Sequence, residues 1–368
     1  MKLICNRGAL LESLNVAGNA IPARSTKPAL QCVKLTAAED KLVVVATDLE
    51  VAIRFQDSQV QVESPGEALV PLERLRDIVR ETMDDTLAIE LTSEGINIKG
   101  RDSHFLIFVQ DPADFPPMPA YEGQHDFEIT ASQLKQLIGQ TLFAVAKEST
   151  RYAFNGVLVN IRNKKLVLVG TDGRRLAHAK GDLASLTKTD AEDTKIIIPQ
   201  KTLQMVEKLL VDGEENVAVQ LHENQVIFHT ATATLISNLV EGQYPPYEDV
   251  IPKDTDKKMT AGTADFLSAV KRASLLATEE TKGVRFAFSK QGLILKSRSP
   301  EAGESTINFA CKYDGDDVEI GFNPAFLVEA LKVADSDEVS LELTMPNRPG
   351  LLKSGANFQY VIMPVSLQ

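Results

Sequence analysis

Three series of segments recur along the chain at nearly one spacing, and that repetition limits the fold more than any other feature. The first series is a strand-like run ending at proline and followed by an amphipathic helix. Ala68-Leu69-Val70-Pro71 leads into 72–81, Ile196-Ile197-Ile198-Pro199 into 200–211, and Ile320-Gly321-Phe322-Asn323-Pro324 into 325–334. The prolines at 71, 199 and 324 are spaced by 128 and 125 residues. A proline suits the first turn of a helix because the N–H it lacks would have no intrahelical partner there. The second series is a strand running into a polar turn, Lys41–Thr47 into Asp48-Leu49-Glu50 and Lys165–Thr171 into Asp172-Gly173-Arg174; the third copy, from Gly292, lacks the Thr-Asp pair. The third series is a strand followed by an aromatic residue and prolines, Phe115-Pro116-Pro117 and Tyr244-Pro245-Pro246, with Phe358–Pro364 as the last copy. Each copy also opens with a helical pattern, over 9–20, 132–147 and 264–278, in which apolar residues recur at the helical period. Short alternating runs rich in β-branched residues fill the intervals.

These features predict an α+β protein of three repeated domains, 1–122, 123–254 and 255–368, each with two helices packed on antiparallel sheets. The 368 residues, 43% of them hydrophobic and 24% charged, supply core for all three and exclude disordered, collagenous and coiled-coil chains. The three cysteines are far apart, so neither a disulfide framework nor a CxxC site fits, and a reducing, cytoplasmic setting is expected. No apolar run approaches the roughly 20 residues of a membrane span, and the start lacks a long enough apolar stretch for a signal peptide.

Motifs that carry catalysis are missing. Gly95 and Gly100 have phosphate-loop spacing, but Arg101-Asp102 stands where Lys-Ser/Thr is required. There is no GxGxxG, HExxH or GxSxG, and the five histidines show no ligand spacing. Asp84-Asp85 and Asp316-Asp317 sit beside turns and read as solvated loops. No catalytic residue, metal or cofactor is therefore expected, although an acid/base pair assembled across domains is open on sequence alone, as is a protein scaffold that never meets DNA.

The net charge of −12 excludes a generally basic, nucleic-acid-binding coat. Its distribution is uneven. The six helical windows together carry +3, leaving −15 on the remainder. That pattern fits an acidic shell with a helical surface that does not repel phosphate.

On this threefold frame stand Ala46-Thr47-Asp48-Leu49-Glu50, Asp114-Phe115-Pro116, Arg151-Tyr152-Ala153-Phe154-Asn155-Gly156, Thr171-Asp172-Gly173-Arg174-Arg175-Leu176-Ala177, Lys282-Gly283-Val284-Arg285 and Tyr360-Val361-Ile362-Met363-Pro364. In that order and spacing they make the whole chain resemble the bacterial β sliding clamp family, the processivity subunit of DNA polymerase III. The resemblance implies a head-to-tail dimeric ring, a homodimer around double-stranded DNA held without sequence preference, with no enzymatic activity and no membrane association. It implies DNA-facing roles for Arg24, Arg74, Arg80, Lys147, Arg151, Tyr152 and Lys201. It implies that the replicative polymerase, the clamp loader, other polymerases and repair proteins dock short peptides in one pocket. That pocket would draw on Phe154, Thr171, Gly173, Arg174, Arg175, Leu176, Pro245 and Val250, with Ser340, Val361, Met363, Pro364, Val365 and Leu367. The dimer junction would use Lys99, Arg101, His104, Phe105 and Ile107 on one side and Leu275, Leu276, Glu301 and Glu304 on the other. The chain departs from the family pattern at Asp102, which falls among the basic residues, at Ala153, at Arg174 and in the tail Val365-Ser366-Leu367-Gln368.

Overall fold

The computed structural model describes residues 1–119, 121–146, 152–188, 194–210, 215–277 and 283–366. Lys147, Arg151 and Leu367 lie outside the described residues, and so does the side chain of Tyr152. Within them every repeat has one order: strand, helix, five strands, helix, three strands. The helices are α1 (Arg7–Gly18) and α2 (Leu72–Glu81), α3 (Ala131–Leu142) and α4 (Gln200–Leu209), α5 (Thr263–Ser274) and α6 (Pro324–Lys332). The expected windows hold, with the ends adjusted by local chemistry. Asn6 caps α1 by accepting the Ala9 N–H at 3.0 Å, which starts the helix earlier than its apolar stripe does. Asn323 caps α6 through the Ala325 N–H in the same way. α3 ends at Leu142, short of the expected 147, and its last turn lies close against a strand. A Cβ at Gly170 would stand 2.3 Å from the Thr141 carbonyl oxygen, so only glycine allows that approach.

The helices bury one face each. Leu10, Leu14 and Ala17 of α1 and Leu72, Leu75 and Val79 of α2 are buried where the two helices pack together. Phe266, Val270 and Ala273 of α5 and Leu327, Ala330 and Leu331 of α6 do the same in the third repeat. Each such leucine or phenylalanine contributes about 1.5–3 kcal/mol by leaving water, so the apolar stripes fix which helix face turns inward.

The sheets cross the boundaries of the repeats. Each repeat splits its strands into two groups; among the described residues these groups form two nine-stranded sheets, each shared by two repeats, one sheet of five strands and one of four. The rule of joining is the same twice. The ninth strand of the second repeat, Ala233–Asn238, pairs antiparallel with the fourth strand of the first, Val51–Asp57. The ninth strand of the third repeat, Phe358–Ile362, pairs with the fourth of the second, Arg175–Asp182. The middle repeat is consequently shared between two compact units: residues 1–132, 184–189 and 201–239 form one, and 133–183, 190–200 and 240–368 the other. The repeat is the unit of topology, whereas compactness follows the shared sheets.

Candidate partner pocket, open sheet edges and basic surface

The turn after the third strand is built identically in the first two repeats. Thr47 Oγ1 accepts the Leu49 N–H and donates to the Val51 carbonyl, while Asp48 Oδ1 accepts the Glu50 and Val51 N–H groups. Thr171 and Asp172 make the same four bonds to Gly173, Arg174 and Arg175. Thr-Asp is thus a turn device: short side chains accept the N–H groups that the strand ladder leaves unpaired. The turn forces its third residue into the left-handed region, at φ +79° for Leu49 and +84° for Gly173.

At the second turn the missing side chain leaves room for a cavity of about 200 Å³. Phe154, Thr171, Leu176, Tyr247 and Val361 are buried and form its floor, and Val250 and Met363 stand half-exposed at its rim. Pro245, Pro246, Gly173 and Arg175 complete the lining. Behind the floor lies an apolar cluster that includes Leu158, Val169 and Leu351. Tyr244 packs edge-on against Phe154, with ring centroids 6.3 Å apart, and donates its hydroxyl to the Val169 carbonyl at 3.1 Å. Burial and the neighbouring Glu248 push the Tyr247 hydroxyl up to about 12, so it stays protonated. A wider hollow bounded by Pro252, Met345 and Pro349 adjoins and shares Val250 and Met363.

Arg175 is the charged residue in the lining, and its guanidinium is committed. It pairs with Asp172 at 3.0 Å and with Glu329 of α6, donates to the Phe143 carbonyl at 2.8 Å, and lies 4.2 Å from the centroid of the Phe326 ring. Burial lowers its pKa, but the partners, Glu329 foremost, outweigh burial and raise it overall. The pocket therefore offers an apolar floor with a fixed cation at one wall. It suits an apolar anchor and holds no acid/base pair. No group of three or more His, Cys, Asp or Glu side chains poised for a metal occurs among the described residues.

Of the expected pocket residues, Phe154, Thr171, Gly173, Arg175, Leu176, Pro245, Val250, Val361 and Met363 come together. Arg174, Ser340, Pro364 and Val365 do not line it. The Arg174 carbonyl instead accepts the Met363 N–H at 3.0 Å, and the Val365 N–H reaches the Gly321 carbonyl at 2.9 Å, so residues 363–365 are tied down beside the cavity. Pro246 and Tyr247 were missed, although the run Tyr244-Pro245-Pro246-Tyr247 marks a rigid, aromatic-rich segment in the sequence.

Among the described residues, the joining rule of the sheets leaves two edges without the corresponding partner: the ninth strand of the first repeat, His104–Ile107, and the fourth strand of the third, Gly303–Phe309. His104 and Phe105 are exposed on the first edge, as are Leu106 and Phe108, which sequence reading missed; Ile107 is buried in its own sheet. The apolar run Phe105–Val109, apolar on both faces of a strand, was the available signal. Of the residues expected for the other half of the junction, Leu275 is 77% exposed and Leu276 half-buried, and Glu301 and Glu304 are exposed. Lys99 and Arg101 lie loosely against Glu90 and Asp84 of their own repeat, 3.8 Å away in both cases. Glu304 pairs with Arg298 at 3.1 Å.

The basic candidates divide in two. Arg24 and Arg74 are exposed. Arg80 is already held by Asp77 at 2.9 Å and Glu81 at 3.0 Å, and Lys201 is paired with Asp48. No helix among the described residues is long and apolar enough to cross a membrane.

Comparison with known proteins covers the chain end to end. The family models of the DNA polymerase III beta subunit match in order: the N-terminal domain over 1–119, the central domain over 128–246 and the C-terminal domain over 248–366. The beta sliding clamp of Pseudomonas putida KT2440 is 31% identical over all of both chains. The crystal structure of the DNA polymerase III subunit beta from Pseudomonas aeruginosa matches with a TM-score of 0.92 at 30% identity. That of the DNA polymerase sliding clamp from Bacillus subtilis matches with a TM-score of 0.94 at 28% identity, and all of each chain is covered in both comparisons.

Proposed function

Because the chain belongs to the DNA polymerase III beta subunit family, we propose that it is a sliding clamp: a non-catalytic ring that encircles duplex DNA and tethers the replicative polymerase. The ring is a head-to-tail homodimer of three-domain chains, with domains 1–122, 123–254 and 255–368, working in the cytoplasm. The observation that carries this reading is the sheet-joining rule. Twice within the chain a ninth strand pairs with the fourth strand of the preceding repeat, and one strand of each kind is left over. Two copies satisfy both leftovers by joining end to end, and a two-fold axis closes the circle.

The rule also sets the register of that junction. Ser237 faces Val51 and Ile362 faces Arg175 at the two internal joins. Their counterparts place Ile107 opposite Gly303 of a second copy, Leu106 opposite Glu304, Phe105 opposite Ser305 and His104 opposite Thr306. His104 and Thr306 are exposed, so a protein carrying His104→Cys and Thr306→Cys should be joined by a short bis-maleimide into a covalent dimer. Linkage failing for this pair while pairs shifted by two residues succeed would reject the register.

DNA is held by enclosure, so phosphate contacts need only be few and weak. Arg24 and Arg74 are the exposed members of the expected set, whereas Arg80 and Lys201 are engaged with carboxylates. Replacing Arg24 or Arg74 by alanine should weaken DNA binding uniformly across sequences and reduce the salt slope by about one unit each. Lys201→Ala should change it by less, because the lysine charge is balanced by Asp48. Binding measured between low and moderate salt checks both.

The cavity at Gly173 serves as the docking site for short peptides of the polymerase, the clamp loader, other polymerases and repair proteins. An apolar floor with half-exposed Val250 and Met363 at the rim accepts an apolar anchor, and flexible methionine tolerates different ones.

A further inference from the structure

Beside the docking cavity stands a histidine that does not line it. His178 lies on the strand Arg175–Asp182, two residues beyond Leu176, so both side chains leave the same face of the sheet. Leu176 forms part of the cavity floor, and so does Tyr247. The His178 ring lies against that of Tyr247, with centroids 5.8 Å apart and planes 35° from parallel. Tyr247 opens the short turn Tyr247–Asp249, and its carbonyl accepts the Val250 N–H at 3.1 Å. The ring on the floor and the Val250 side chain at the rim therefore belong to one turn, and His178 braces it.

The surroundings of the imidazole disfavour its charged form. Nδ1 is buried and has no hydrogen-bond partner. Across the ladder His178 faces Val169 on one side and Gln359 on the other, neither of them charged. Lys180 follows two residues on, along the same face of the strand, and Glu248 is the acid of the turn that acts on the ring. Burial lowers the imidazole pKa first and Lys180 lowers it further; its own backbone and Glu248 oppose that without reversing it. The ring is therefore neutral at neutral pH. In the imidazolium both ring nitrogens are donors, so Nδ1 would hold a buried N–H with no acceptor, next to the ring that seals the floor.

We propose that His178 is a positioning residue of the docking site: while neutral it holds Tyr247 and, through the turn, Val250 in the shape that accepts an apolar anchor, and when protonated it loosens both. This role rests on the docking reading of the cavity. Peptide and proton then oppose each other. By linkage, a peptide that needs the neutral ring lowers its affinity for the proton by the same factor as the proton lowers affinity for the peptide. The folded pKa lies below the ordinary imidazole value of 6.5. Docking is accordingly at full strength at neutral pH and weakens as the pH falls through that lowered value. Tyr247 and Arg175 do not titrate in this range, since their pKa values are raised.

The test follows the histidine ring signals of the full-length protein by NMR between about pH 5.5 and 8, with and without a short histidine-free peptide of the replicative polymerase. The signal of His178, assigned by its loss in His178→Phe, is expected to titrate at lower pH when the peptide is bound, while those of the other four histidines stay in place. Peptide affinity is expected to be about twofold or more weaker at the acid end of the range than at neutral pH. His178→Phe keeps a ring against Tyr247 without the titrating group, and should abolish that ratio. A peptide that binds without moving the His178 titration, or a ratio that survives in His178→Phe, would overturn the positioning role alone. Absence of peptide binding to the unsubstituted protein at neutral pH would overturn the docking reading and the positioning role with it.

Discussion

Phe105→Asp is expected to convert the dimer to a folded monomer. Phe105 occupies the position of Leu235 and Tyr360, both fully buried at the internal joins, yet is itself 39% exposed in the single chain. Covering it removes the remaining apolar surface from water, and an aspartate there would be a buried, unpaired charge. The loss of a core phenylalanine costs about 3 kcal/mol at the low end. The ring has two such seams, so the cost is counted twice, about 6 kcal/mol or on the order of 10⁴ in the dissociation constant. Ionic contacts do not offset it, because Lys99, Arg101 and Glu304 already have partners of their own. Analytical ultracentrifugation across a concentration series checks the mass, and circular dichroism separates dissociation from unfolding. A dimer that persists at nanomolar concentration would show that the edge is not the seam.

The second large effect is expected from Gly173→Leu. Ordinarily a leucine at positive φ is a poor test, since strain of about 1–2 kcal/mol confuses function with folding. Here the chain supplies its own control. Leu49 sits at φ +79° in the same turn with the same four hydrogen bonds, so the backbone accepts that side chain. A Cβ at Gly173 would lie 3.7 Å from the Phe154 ring, in ordinary contact, and the rest of the leucine would extend into the cavity. The anchor of a docking peptide would lose its site. Truncating a hot-spot contact typically costs about 2 kcal/mol or more, and steric exclusion should exceed it, reducing polymerase-peptide affinity about 100-fold. The dimer should form unchanged. Leu49→Gly, which relieves strain away from the cavity, should leave peptide affinity as it is. Titration calorimetry with a polymerase-derived peptide reads both variants.

Much of the fold could be read from the residues because repetition triples every signal. The prolines at or before the first turn of the second helices and the helical stripes located the six helices found among the described residues, whereas the caps Asn6 and Asn323, which set where α1 and α6 begin, were not read from the sequence. Less legible were the helix ends, such as α3 ending at Leu142, and close approaches between distant segments, such as that of Gly170 to Thr141. The joining of sheets across repeats is also invisible locally, since pairing Arg175–Asp182 with Phe358–Ile362 depends on residues far apart in the chain. At the pocket, the family resemblance and not residue type pointed to Phe154, Leu176 and Val361, and these three line the cavity. The commitment of Arg175, Arg80 and Lys201 to carboxylates could not be foreseen, because charge counts do not say which acid stands beside which base. For the same reason the helix-biased positive charge overstated how much of it is free to meet phosphate.

The claim on which the account depends is that the protein stays on DNA because it surrounds it. Loaded by a clamp loader onto a nicked circular duplex and separated from free protein at moderate salt, it should remain bound to the circle and be lost when a single restriction cut makes the DNA linear. Equal retention on the circular and the linear forms would contradict it.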